Sequence, residues 1–182
     1  IDSVKQFTAG KLADSYFGDY VLENNLLRAV IARPDKPQMG EVRGGSLMDV
    51  IPKSNPVDYF SALNTTADAS TTLSVVIYTE AAVDTPVADN STATITLRGH
   101  LGEYGKPAPD AAVAVQTRYS LAPDSSVIQV DSQFENLTTA TAWIQPADQI
   151  DWGEARAFTE NAGYAVTTAP ATFVLGAIDN FS

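Results

Sequence analysis

The chain has 182 residues, 45% of them hydrophobic, and its 22 acidic against 11 basic residues give a formal net charge of −11. This length suits one domain with a sizeable core. The acidic balance argues against nucleic-acid binding, which needs clustered lysine and arginine. The lack of cysteine excludes disulfides, thiolate catalysis and Cys-ligated zinc, and no apolar run approaches the roughly 18–20 residues of a membrane span.

The first apolar segments are typical of short strands separated by turn residues. The stretch GDYVLENNLLRAVIARPDKP predicts strands at 19–23 and 26–32. Asn24–Asn25 would form a two-residue turn between them, because Asn tolerates the positive φ that a tight hairpin needs. Helical periodicity is confined to 5–17, where Gly10 weakens it.

Short strands bounded by turn residues are also predicted in the middle of the chain. A strand is predicted at 46–52, entered through Gly44–Gly45, and 57–63 fits either a short strand or one helical turn. A further strand is predicted at 71–81. Its expected apolar face consists of Leu73, Val75 and Ile77.

Strict alternation then predicts a half-buried strand at 91–101, with Ala93, Ile95 and Leu97 on one face. The segments AVAVQTRYSLAP and SSVIQVDSQFENL form the next predicted hairpin. In all, about ten short strands spaced by roughly 8–12 residues predict an all-β fold, a large antiparallel two-sheet sandwich with little helix. We expect one domain over 1–182.

The densest run of acids and aromatics is PADQIDWGE, at 146–154, which contains Asp148, Asp151, Trp152 and Glu154. Three interpretations remain open: a structural loop at a strand end, the edge of a ligand site, or a catalytic group. Clustered carboxylates can act as acid and base, but the spacing does not match a calcium loop. Trp152 favours a ligand edge, because an indole can stack on a sugar ring.

His100 is the single histidine, in LRGHLGEYG. A lone histidine at a strand end is more often a hydrogen-bonded surface residue than a base, although it could join a polar pocket. No G-x-S-x-G elbow accompanies it, and zinc would need further ligands. We therefore predict no metal, no cofactor and no catalytic residue, with His100 as an additional candidate for ligand contact.

Two stretches carry a resemblance to a known family. YVLENNLLRAVIA followed by GGSLMDVI, and VAVQTRYSLAPDSSVIQVDSQFENLTTA further on, resemble the opening and the central hairpin of galactose mutarotase-like (aldose 1-epimerase-like) domains. The resemblance implies a supersandwich with a concave, carbohydrate-binding cleft near 146–154. The family's enzymes have an Asn-x-x-His run at about this point and a second histidine, which this chain lacks.

The expectation is therefore a non-catalytic, carbohydrate-associated or structural β-sandwich module of a larger exported bacterial protein, secreted or periplasmic. Carbohydrate, other domains or a second chain completing the sandwich are the expected partners. One alternative is a carbohydrate-active epimerase, lyase or hydrolase that uses paired carboxylates, with Asp148, Glu154 and Glu103 as the nominated groups. The other is a scaffold domain that binds no ligand.

Overall fold

The computed structural model describes residues 15–36, 42–54, 62–69, 72–84, 91–103, 112–151, 163–168 and 171–176. These residues form eleven strands and no helix. The strands are β1 Tyr20–Glu23, β2 Leu27–Ile31, β3 Leu47–Pro52, β4 Ala62–Ala69, β5 Thr72–Asp84, β6 Ala93–Glu103, β7 Val113–Leu121, β8 Gln129–Asn136, β9 Gln145–Asp151, β10 Gly163–Thr168 and β11 Ala171–Gly176.

The all-β prediction is confirmed. Strands β1 to β8 lie side by side in chain order, every pair is antiparallel, and β9 joins the same sheet through β4. Strands β10 and β11 pair with each other as a separate hairpin. No helix in the described part of the chain is long and apolar enough to cross a membrane. The helical pattern at 5–17 falls almost entirely outside the described residues.

Strand β4 is the point at which the sheet branches. Its residue Leu63 pairs with Leu47 of β3 and also with Ile150 of β9. Further along, β4 pairs with β5 as well as with β9. Because a strand has only two edges, β9 runs along one edge of β4 while β3 and β5 share the other.

The sheet curls around one hydrophobic cluster. Side chains of β1–β3 and of β5–β7 meet in it, so the two ends of the sheet approach each other. Its largest fully buried members are Tyr119, Ile31, Ile95 and Leu97. This arrangement is compatible with a sandwich, although the division into two stacked sheets stays a prediction.

Asn24 fastens the first turn to the opposite end of the sheet. Its side-chain amide donates to the carbonyls of Ala122 at 2.8 Å and Ser125 at 2.7 Å, between β7 and β8. Its Oδ1 accepts from the backbone N–H groups of Leu26 and Leu27, both at 2.8 Å. The predicted two-residue turn is therefore wrong by one residue: the turn spans 24–26, because the Asn24 side chain completes it.

Of the two faces predicted for the middle strands, that of β6 is confirmed and that of β5 is corrected. On β5, Val76 and Tyr78 enter the main cluster, whereas Val75 of the predicted apolar face is buried without belonging to it and Ile77 is only partly buried. Tyr78 can be buried there because its hydroxyl donates to Thr117. The predicted face of β6 is correct, since Ile95 and Leu97 are buried and Ala93 packs against the same cluster.

Strand β4 extends beyond the segment predicted from sequence. Residues 55–61 lie outside the described part, and β4 then continues to Ala69 through NTTADA, which reads as a turn. The buried polar groups of this stretch have partners: Asn64 accepts from Ser46 at 2.5 Å, and Thr66 donates to the carbonyl of Ala147 at 3.1 Å. Satisfied hydrogen bonds allow polar residues to form a buried strand.

A buried ion pair anchors the entry to β1. Asp19, whose side chain is fully buried, accepts from Lys36 at 2.9 Å. Its two oxygens also accept from the backbone N–H groups of Tyr16 at 2.7 Å and Arg33 at 3.0 Å. Nζ of Lys36 lies 3.0 Å from Sδ of Met48, which belongs to a second, smaller cluster with Val30.

Candidate functional site

Asp148 lies on β9, the strand that joins the sheet through β4. It pairs with Thr65 across the β4–β9 ladder, and the Thr65 hydroxyl donates to its Oδ1 at 3.4 Å. Thr65 is buried, whereas Asp148 is exposed. The carboxylate therefore has a protein hydroxyl on its inner side and solvent on its outer side.

A chain of hydroxyl groups leads from this point into the core. Thr65 Oγ1 is 3.1 Å from Ser132 Oγ on β8, and Ser132 Oγ is 3.0 Å from Thr117 Oγ1 on β7. Thr117 in turn accepts from the Tyr78 hydroxyl at 2.6 Å. Ser132 is exposed while Thr117 and Tyr78 are buried. We call Asp148, Thr65, Ser132, Thr117 and Tyr78 the hydroxyl network.

The electrostatics of the network follow from burial. Although Asp148 is exposed, its carboxyl loses part of its water on the side that faces Thr65, which raises its pKa, and the hydrogen bond from Thr65 offsets part of that rise. Burial raises the pKa of Tyr78 to about 12, and burial together with the charge of Asp148 holds the pKa of Tyr119 well above its usual value. Both phenols are protonated near neutral pH, as ordinary tyrosines are, and each donates a hydrogen bond.

The inner end of the network is fixed by a glycine turn. Gly45 adopts φ of +85° just before β3, and a Cβ there would lie 2.0 Å from Cδ2 of Tyr78. The carbonyl of Gly45 accepts from the Tyr119 hydroxyl at 2.8 Å. The predicted glycine entry to β3 is thus where the turn packs directly on the Tyr78 ring.

Arg43 adds a cationic group to the β9 side. Its Nη2 donates at 2.8 Å to Oε1 of Gln149, the residue that follows Asp148 in the chain. Its backbone N–H donates to the Ser46 hydroxyl at 2.9 Å. Strand β9 is therefore held by Thr65 and Thr66 of β4 and by Arg43 from the turn before β3.

The structure separates His100 from this site. On β6, Gly99 pairs with Tyr78 and Val115, whose side chains enter the main cluster. Successive residues of a strand point to opposite faces, so His100 lies on the other face of the sheet, where it is partly buried. The polar pocket predicted around His100 does not include Asp148.

The other predicted site residues can be placed only in part. Asp151 ends β9 and pairs with Ala62 of β4, but its side chain lies outside the described set, as does that of Glu103. Trp152 and Glu154 fall outside the described residues altogether. Among the described residues, no three acidic or histidine side chains come together as a metal site.

Sequence reasoning missed two features of this region. Ser132 and Thr117 belong to no sequence motif. They come together only through the β7–β8 pairing, in which they lie directly opposite each other. Trp143 lies in the segment between β8 and β9 with 83% of its surface exposed, the highest value among the described large hydrophobic residues that are exposed. Its position just before the acidic run PADQIDWGE was the sequence feature that could have identified it as a site candidate.

Comparisons with protein-family models, with curated proteins and with solved structures gave no match to this chain. The resemblance to galactose mutarotase-like domains therefore stays a prediction.

Proposed function

We propose that this chain is a non-catalytic, carbohydrate-associated module of a larger exported protein, with its sugar-contacting surface at the outer end of the hydroxyl network. The observation that carries the proposal is the pairing of exposed Asp148 and exposed Ser132 through one buried hydroxyl, that of Thr65. A carboxylate that accepts and a hydroxyl that both accepts and donates match the hydroxyl groups of a sugar.

Trp143 supplies the apolar component that such a site needs. It precedes Asp148 by five residues, which limits the separation of their Cα atoms to about 18 Å. An exposed indole offers a flat surface for the apolar face of a pyranose, and the polar groups fix its orientation. Trp152, the platform expected from sequence, is a second candidate for the same role.

Support for binding rather than reaction comes from the chemistry of the described groups. Tyr78 and Tyr119 are protonated near neutral pH at the ordinary pKa of tyrosine, and burial moves the pKa of both still further from neutral. The hydroxyl groups between them and Asp148 hydrogen-bond to one another. These features favour a preorganised recognition surface.

An enzymatic alternative is favoured by a single observation, the raised pKa of Asp148, which is the direction that a general acid needs. A glycosidase would require a second carboxylate across a cleft. Glu154 or Glu103 would have to supply it. Release of reducing sugar by the parent and not by Asp148→Asn would replace the binding proposal with this one.

The binding proposal is tested by calorimetric affinities for a glycan that the parent binds. Ser132→Ala and Trp143→Ala should each weaken binding about five-fold or more, which corresponds to losing one hydrogen bond or part of an apolar contact. Val83→Ala on β5 is the matched control, because Val83 is also an exposed hydrophobic residue. Unchanged affinity in both site variants would refute the placement of the site.

A further inference from the structure

Strand β8 is an edge of the described sheet. It pairs with β7 in unbroken register from Val113–Asn136 to Ser120–Gln129. In the order of the described strands, none lies on its other side. Unpaired N–H and C=O groups along such an edge can pair with an additional strand.

The register identifies the backbone groups that face outward. The N–H of Leu137 donates to the carbonyl of Ala112 at 2.8 Å, in register with the β7–β8 ladder. Hydrogen-bonded and non-hydrogen-bonded pairs alternate in an antiparallel ladder. Residues 129, 131, 133 and 135 therefore bond to β7, and Val130, Ser132 and Phe134 direct their N–H and C=O groups away from it.

Exposed apolar side chains flank this edge at both ends. Val127, two residues before β8, is 62% exposed, and Leu137, directly after it, is 57% exposed. The eight residues between Gln129 and Asn136 span about 27 Å. An added strand of that length would find an apolar contact at each end.

The charge of the β8 edge distinguishes between two kinds of added strand, a basic segment of another protein and a second copy of this chain. Asp131 and Glu135 of β8 are exposed on one face, where Asp131 pairs with exposed Arg118 of β7 and Glu135 pairs with Ala114. A second copy of this chain, with its net charge of −11, would bring a like-charged edge. Like charges directly opposite each other destabilise a strand pair, whereas opposite charges stabilise it.

We propose that the β8 edge accepts an extended, basic segment of another protein as an added strand. Backbone bonds to Val130, Ser132 and Phe134 supply affinity, and Asp131 and Glu135 select lysine or arginine on the added strand. This inference goes beyond the sugar site and does not depend on it, since it rests on the register of β8 and on the side chains of Asp131 and Glu135.

The probe is a capped ten-residue peptide that alternates Thr and Lys, with Val at one end and Leu at the other. Hydrogen exchange on the full chain should show new protection at the amides of Val130, Ser132 and Phe134 when the peptide binds. A peptide with Glu in place of Lys, and one N-methylated at alternate residues, should bind at least about five-fold more weakly. No binding at about millimolar peptide, or no protection of the three amides, would overturn the proposal.

Two protein variants separate backbone pairing from side-chain effects. Ser132→Pro removes the Ser132 hydroxyl and its outward N–H, while Ser132→Ala removes only the hydroxyl, and Pro is tolerated on edge strands. We expect Ser132→Pro to bind the Lys peptide about five-fold more weakly than Ser132→Ala. Equal affinities would argue against strand addition, and the N-methylated peptide gives the same information if Ser132→Pro does not fold.

The double variant Asp131→Lys/Glu135→Lys should reverse the preference from the Lys to the Glu peptide without changing glycan binding. Failure of the sugar proposal and failure of this one are therefore distinguishable. Sedimentation experiments can reveal a dimer of the parent chain. If the double variant abolishes that dimer, the edge belongs to a second copy of the chain and the proposal of a basic partner is overturned.

Discussion

Asp148 and Ser132 lie on different strands, β9 and β8, yet share one hydrogen-bond partner, the hydroxyl of Thr65 on β4. Both are exposed, whereas Thr65 is buried. A buried hydroxyl thus holds two solvent-facing polar groups in a fixed relation. This relation is the geometric basis for the proposal of a ligand surface at the outer end of the hydroxyl network.

The first prediction concerns the pH dependence that Asp148 confers. Because burial raises its pKa in the folded chain above the ordinary value of 3.8, the stability it contributes is fully present below that value. It is lost as pH rises through the folded pKa. Asp148→Asn cannot ionise, so the free energy of unfolding of the parent should fall relative to the variant as pH rises from about 3 to 6.

Urea denaturation of both proteins across this range measures the difference. The expected change is small, because Asp148 stays in contact with water. A difference that stays constant, or that grows in favour of the parent with rising pH, would contradict the raised pKa. Asp84→Asn, at an exposed position on β5, controls for loss of a surface charge.

Tyr119→Phe should destabilise the fold by about 1–3 kcal/mol. The substitution removes the hydroxyl that satisfies the carbonyl of Gly45 and leaves that carbonyl without its described partner. The midpoint of urea unfolding measures the effect. Tyr16→Phe, at an exposed tyrosine, should change stability by less than about 0.5 kcal/mol, and equal effects of the two would refute the role of the buried bond.

Gly45→Ala should cost about 3 kcal/mol or more, combining backbone strain with overlap on Tyr78. Gly18→Ala is a matched control, because Gly18 also has positive φ, at +91°. A Cβ at Gly18 would meet the flexible side chain of Arg33, with Nη1 at 2.9 Å, rather than a buried ring. Thermal unfolding of both variants should rank Gly45→Ala lower, and the reverse order would contradict this packing.

Asp19→Ala should destabilise the chain by about 3–5 kcal/mol, since it leaves the buried charge of Lys36 without its carboxylate. The double variant Asp19→Ala/Lys36→Met should recover part of that loss, because it removes the uncompensated charge. Urea unfolding of the single and double variants forms the test. A double variant no more stable than Asp19→Ala would show that the backbone bonds of Asp19, not its ion pair, dominate.

The strands with clear period-two alternation could be predicted from sequence. Ile95 and Leu97 alternate with threonines, and the structure buries them as expected. Strand β4 could not be predicted over its full length, because NTTADA has the composition of a turn, and its buried residues Asn64 and Thr66 have partners in Ser46, just before β3, and Ala147 of β9.

The residues of the candidate site likewise divide into those that could be predicted from sequence and those that could not. Asp148 stood out as part of an acidic run, a local property of the sequence. Ser132 and Thr65 are 67 residues apart in the sequence and lie on β8 and β4, which are not neighbours in the sheet. Their contact therefore depends on the long-range fold. His100 stood out only because it is the single histidine, and strand alternation directs it to the other face.

The most direct test of the proposed function is a glycan-array screen of the parent chain alongside Asp148→Asn and Asp84→Asn. The account predicts that the parent and Asp84→Asn bind the same class of glycan, and that Asp148→Asn loses most of the signal while remaining folded by circular dichroism. No binding by the folded parent, or binding that Asp148→Asn retains in full, would contradict a carbohydrate site at the outer end of the hydroxyl network.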